Sequence, residues 1–106
     1  MHRTLIVARM KPEDADNVAD LFRWSDSTEL PHLIGARQRT LFRFHDLYMH
    51  LVEADEDPTE KLYAAREHPL FKELHERLLP FITAYDPKWS EPKHAMALPF
   101  YTWQAD

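Results

Sequence analysis

The chain has 106 residues, the size of one ordinary domain, and carries 18 acidic against 13 basic residues for a formal charge of −5 with its seven histidines neutral. That balance argues against nucleic acid or an anionic membrane as the main partner, because either requires a cationic face. Cysteine is absent and Gly35 is the one glycine, so disulfides, thiolate chemistry, phosphate-cradling loops and dinucleotide fingerprints are excluded by counting.

Residues 4–10 read as a strand, closed by Lys11-Pro12. Both of its alternating sets, Leu5/Val7 and Ile6/Ala8/Met10, are apolar, which predicts burial on both faces. The run Leu5-Ile6-Val7-Ala8 is too short for a signal sequence or a membrane span, so cytoplasmic residence is the default expectation. Pro12-Glu13-Asp14 starts a helix, with carboxylates at the positive end of its dipole. Ala15, Val18, Ala19 and Phe22 carry that helix to about Trp24. A polar stretch from Ser25 to Glu29 follows, and Pro31 opposes simple continuation.

Residues 37–44 and 47–53 form the strongest strand pair, separated by His45-Asp46. A two-residue turn there sets Phe44 opposite Leu47, Arg43 opposite Tyr48 and Leu41 opposite His50. Asp57-Pro58-Thr59-Glu60 supplies a second helix start, with Asp57 as cap. His68-Pro69 restarts a helix with the apolar stripe Phe71, Leu74, Leu78 and Phe81, which Pro80 bends or ends. A proline-rich connection leads to a last predicted strand over residues 95–103, which Pro99 would confine to an edge or a bulge.

The order β-α-β-β-α-β is the ferredoxin-like pattern, an α+β fold with one four-stranded antiparallel sheet, and residues 1–106 are read as a single domain. Two helices cover one sheet face. The apolar character of both faces therefore predicts a homodimer that packs sheet against sheet, an architecture of the dimeric α+β barrel type.

Arg37, Arg39, Leu41 and Arg43 share one face of their strand, and the proposed register adds Tyr48, His50 and Val52. Guanidinium, imidazole and phenol groups on a partly apolar face suit an anionic or enolic aromatic ligand. The opposite set, Thr40, Phe42, Phe44, Leu47, Met49 and Leu51, reads as core. Asp26 and Glu29, just beyond a helix C-terminus, face the unfavourable end of the dipole, as a retained functional carboxylate would, although a polar loop explains them as well. No metal-ligand spacing joins the histidines: His45 and His50 lie on the hairpin, His68 precedes Pro69, and His75 is read as lying on a solvated helix face. Trp24, Trp89, Trp103 and Tyr101 are candidates for lining a cavity, with ordinary core as the alternative.

The hairpin from Arg37 to Asp55 closely resembles the tetracenomycin-type family of aromatic polyketide cyclases. Further segments agree in spacing: Arg9-Met10, Thr28-Glu29-Leu30-Pro31, His68-Pro69-Leu70-Phe71 and Phe100-Tyr101-Thr102-Trp103. The resemblance implies a ferredoxin-like dimer acting late in bacterial type II polyketide synthesis. It would close a ring of a partly cyclised poly-β-ketone by aldol condensation and dehydration, without cofactor or metal, in transient contact with synthase components. The family's polar site falls on Asp26, Arg39 and His50. Arg43, Tyr48, Glu29 and Ser25 are substrate-binding candidates, and some relatives carry histidine where this chain has Ser25. His50 is expected to act as general acid and base on the strength of its ordinary pKa of about 6.5, with Arg39 holding the enolate oxygen. Two rivals stand beside this reading, a cofactor-free anthrone-type monooxygenase on the same fold and a non-catalytic dimeric polyketide-binding module.

Overall fold

A computed structural model describes residues 1–105. Strand β1 (His2–Met10) is followed by a 3-10 turn at Pro12–Asp14 and helix α1 (Ala15–Asp26). A one-turn helix α2 (Leu30–Leu33) then leads into strands β2 (Ala36–Phe44) and β3 (Leu47–Ala54). Helices α3 (Thr59–Ala65) and α4 (Pro69–Leu78) precede a short strand β4 (Ile82–Ala84). The sheet order is β2-β3-β1-β4 with every pairing antiparallel, the ferredoxin-like arrangement anticipated from the element order.

Helix α1 forms because Pro12 presets the entering turn and Val18, Phe22 and Ser25 recur at helical spacing on one buried face. Burying side chains such as Val18 and Phe22 contributes about 1.5–3 kcal/mol each. The helix stops where hydroxyls take over its last carbonyls: Ser27 Oγ donates to Trp24 O and Thr28 Oγ1 to Ser25 O, both at 2.6 Å. Thr28 Oγ1 also accepts from the Leu30 amide at 3.2 Å, opening α2. At the end of α2, Gly35 takes φ 73°, a left-handed turn that suits the residue without a Cβ.

The hairpin has the register predicted for it, Phe44 with Leu47, Arg43 with Tyr48 and Leu41 with His50. His45 adopts φ 54° in the turn. The turn is tied to β1 by the Met10 amide on Asp46 O and by Arg9 Nη1 on Asp46 Oδ2, each at 2.9 Å. The N-cap of α3 is Pro58, one residue beyond the Asp57 expected there, although Asp57 Oδ1 accepts from the Thr59 amide at 3.0 Å just ahead of the helix. His68 Nδ1 caps α4, accepting from the Leu70 amide at 3.1 Å.

Three expectations need correction. The fourth strand is Ile82–Ala84, which returns along Ala8–Met10 directly after α4, and not residues 95–103. Pro99 breaks that later segment, whose backbone pairing with β1 is limited to a bridge between Met96 and Ile6 and a hydrogen bond from the Ala97 amide to Leu5 O at 2.7 Å among the described residues. Second, the ladder slips by one residue between Ala36 and Gln38, so Arg37 leaves the polar row and pairs with Asp55 at 3.0 Å instead. Third, both long helices lie on the Tyr48/His50 face, which holds the core of Ala8, Met10, Val18, Phe22, Leu30, Tyr48 and Leu74. The face expected to be core is the open one: Phe42 is 47% and Phe44 59% exposed, and Leu5 and Val7 are half-buried, so the buried residues of β1, Thr4, Ala8 and Met10, all lie on its other side.

Candidate active site

Between the sheet and helices α1 to α4 lies a cavity of about 570 Å³. Thr4, Ile6 and Ala8 of β1 and Tyr48, His50 and Val52 of β3 form its floor, because alternate residues of paired strands point the same way. Phe22, Leu30, Ile34, Leu62, Phe71 and Leu74 supply apolar walls. Such a concave apolar chamber with a few convergent polar groups is the usual form of a small-molecule site.

Its polar groups form one chain. Asp26 holds Arg39 through Nε at 3.1 Å and Nη2 at 2.9 Å, a two-point grip that fixes the guanidinium plane. Arg39 Nη1 lies 2.7 Å from His50 Nε2, and His50 Nδ1 lies 2.9 Å from the Tyr48 hydroxyl. An arginine can only donate, so Nε2 is the acceptor and the imidazole proton sits on Nδ1, directed at the Tyr48 oxygen. The Tyr48 proton is thereby left free for a ligand. Phe22 packs on both cationic and imidazole groups, 4.8 Å below the Arg39 carbon and 5.1 Å edge-on to the His50 ring.

Burial and the neighbouring positive charge set the protonation states. His50, 7% exposed, is pulled down to about 3, first by desolvation and then by Arg39. Desolvation pushes the Tyr48 phenol well above its ordinary value, with Arg39 opposing weakly. At neutral pH the pair is therefore a neutral imidazole and a neutral phenol. The role expected of His50, exchanging protons both ways near pH 7, does not fit this environment. Tyr48 is the group with a proton to give.

The structure brings Arg39, Tyr48 and His50 together on the cavity and reaches Asp26 through Arg39. The remaining candidates lie elsewhere. Ser25 is 1% exposed inside α1, turned into the core with Val18 and Phe22, and its hydroxyl has no hydrogen-bond partner among the described residues. Glu29 pairs with His68 Nε2 at 3.2 Å on the outer surface. Arg43 is exposed at the hairpin end. Trp24 stacks with Arg77 at 4.8 Å and Trp89 with Tyr85 at 5.8 Å, while Tyr101 and Trp103 are exposed, so none lines the cavity. Among the described residues no cluster of three or more His, Asp or Glu side chains could hold a metal ion. The lining groups missed in the sequence are Thr4, His75 and Thr83. A signal for His75 existed, since it follows Phe71 by four residues and precedes Leu78 by three on the apolar stripe.

The family model described as polyketide synthesis cyclase matches residues 2–104. The chain is 55% identical to tetracenomycin F2 cyclase of Streptomyces glaucescens, over 98% of this chain and 95% of that one. It is 41% identical to polyketide synthase CurG of Streptomyces cyaneus, over the full length of both. The solved structure of tetracenomycin F2 cyclase, described as a type II polyketide cyclase, superposes with a TM-score of 0.94 at 54% identity over all of both chains.

Proposed function

The chain belongs to the polyketide synthesis cyclase family, and from that premise we propose that it closes a ring of a partly cyclised aromatic poly-β-ketone by intramolecular aldol condensation and dehydration. The observation that carries this reading is the Asp26–Arg39–His50–Tyr48 chain at one side of an otherwise apolar cavity. A carbon between two carbonyls enolises readily, so the substrate's own enol supplies the nucleophile. Arg39, with N–H groups left over from Asp26 and His50, bonds the enol oxygen and stabilises the charge it gains as its proton leaves. The new carbon–carbon bond forms to a second carbonyl, whose oxygen gains charge and takes the Tyr48 proton. The phenolate left behind is held by the His50 Nδ1–H and recovers its proton from the enol. Loss of the new hydroxyl together with one α-proton then expels water.

In this scheme His50 orients Tyr48 and supports its anion, and Asp26 fixes Arg39. The cavity walls hold a flexible chain in one folded geometry, which by itself removes much of the barrier. A cytoplasmic homodimer, with the open sheet faces together, completes the proposal.

Incubation of the purified protein with a defined polyketide intermediate, followed by product identification with and without oxygen, tests it. The expected result is ring closure with loss of water at equal rates in both atmospheres. An oxygen requirement would overturn it in favour of ring oxidation, and binding without any rate effect in favour of a carrier role. Arg39→Ala is expected to lower kcat by about 10²–10³-fold, the scale of one lost oxyanion contact.

A further inference from the structure

The cavity has a deep end and a mouth. Tyr48, His50, Val52, Leu30, Ile34 and Pro58 are buried, whereas His75, Leu79, Thr83 and Ala84 are exposed although they too line it. The opening therefore lies between the second half of α4 and strand β4. Its distance from the reacting groups can be read from the sheet. Ala8 pairs with Tyr48 on one side and with Ala84 on the other, so the mouth is two strand spacings, about 10 Å, from Tyr48. A substrate whose reacting carbonyl touches Tyr48 and whose body fills the chamber thus presents its trailing end to the rim.

Four titratable side chains line the cavity: Arg39, Tyr48, His50 and His75. The first three form a linear chain in which His50 bonds to Arg39 on one side and to Tyr48 on the other. His75 makes no side-chain hydrogen bond or ion pair among the described residues, while Glu73 and Arg77 beside it on the same helix pair with each other. Phe71, Leu74 and Leu78 of the same helix line the cavity with it. It is the polar side chain contributed by the helix wall, facing a floor whose rim offers the Thr83 hydroxyl.

Resting on the cyclase reading, we infer that His75 determines which ring closes, by hydrogen-bonding an oxygen at the trailing end of the polyketide. Carbonyl and enol oxygens recur on alternate carbons of a polyketide. A slip of one unit along the cavity therefore offers Tyr48 and Arg39 a different carbonyl with almost the same apolar contacts. Apolar walls discriminate weakly between such registers, whereas a hydrogen bond at a fixed distance from Tyr48 distinguishes them. An imidazole suits the task because it donates at one nitrogen and accepts at the other, matching either a phenol or a ketone.

The test compares wild type, His75→Leu and His75→Gln on one polyketide intermediate, with kcat, KM, product distribution and melting temperature measured for each. His75→Leu is expected to raise KM about tenfold and to increase the share of misclosed product, with kcat changed less than about twofold. His75→Gln, which keeps a donor and an acceptor at the rim, is expected to stay within about threefold of wild type in KM and to keep its product distribution. Both variants should melt with wild type, since the side chain is exposed. Unchanged KM and products in His75→Leu overturn the assignment, as does a His75→Gln variant as impaired as His75→Leu. Absence of ring closure by the wild-type protein strikes instead at the cyclase reading, so the two failures are distinguishable.

Discussion

His50 and Tyr48 stand 2.9 Å apart in the same apolar chamber, and burial displaces their titrations in opposite directions. In the unfolded chain His50 would titrate near 6.5, and in the fold near 3, so between those values the unfolded state holds more protons. Stability is therefore lost as pH falls from about 6.5 towards 3. The Tyr48 shift has the opposite sense: above the unfolded value of about 10 the folded state retains the proton and stability is lost as pH rises. Chemical denaturation across pH should show a plateau between these limbs. His50→Gln should flatten the acid limb and Tyr48→Phe the alkaline one. A midpoint independent of pH from 6.5 to 4 in the wild type would contradict the burial of a neutral imidazole. Tyr48→Phe should also lower kcat by about 10²–10⁴-fold if the phenol is the acid. These roles were not legible in the sequence. The strand alternation placed Arg39, Tyr48 and His50 on one face, but which face the helices cover decides whether an imidazole is solvated or buried.

Helix boundaries show which local signals survive folding. His68 caps α4 with Nδ1 while Nε2 meets Glu29, and the cap is the larger contribution because the ion pair is exposed. Thermal unfolding of His68→Ala should show a loss of about 1 kcal/mol, His68→Asn little change, and Glu29→Gln less than about 0.5 kcal/mol. Gly35, at φ 73°, makes a sharper demand. A Cβ there would meet Lys61 Nζ at 3.3 Å, a flexible neighbour that can move, but the left-handed backbone remains. Gly35→Ala should therefore destabilise by about 1–2 kcal/mol in denaturant titration. The hairpin register was readable because turn length dictates it, even though His45-Asp46 is not a favoured pair for a two-residue turn. Strand β4 was not readable. Three residues after a proline carry too little pattern, and pairing with Ala8–Met10 is a long-range fact.

At the scale of the whole molecule the sheet remains half covered. Phe42 and Phe44 are exposed on the face away from the helices, with Leu5, Val7, Leu47, Met49 and Leu51 half-buried beside them. Leu98, Phe100, Tyr101 and Trp103 are also exposed, Phe100 at 99%. Contiguous apolar surface of this kind on a small acidic chain marks an interaction site. Sedimentation analysis should find the dimer of the proposal, and Phe42→Glu with Phe44→Glu should return it to monomers with an intact hairpin. A wild-type protein that sediments as a monomer at micromolar concentration would remove the dimer. No helix among the described residues is long and apolar enough to cross a membrane.

Composition and periodicity by themselves determined the order of the long elements from β1 to α4, the hairpin register and a set of candidate polar residues drawn from imidazole, guanidinium, phenol and carboxylate. Those are local properties, set by side-chain alternation, turn length and capping chemistry. Only the tertiary structure decided that the helices close over the Tyr48 face and that burial, with Arg39 adding to it, holds His50 neutral. It also set Ser25 in the core and His75 at the mouth. Each of these depends on which surfaces exclude water, and desolvation is a property of the assembled fold rather than of any stretch of chain.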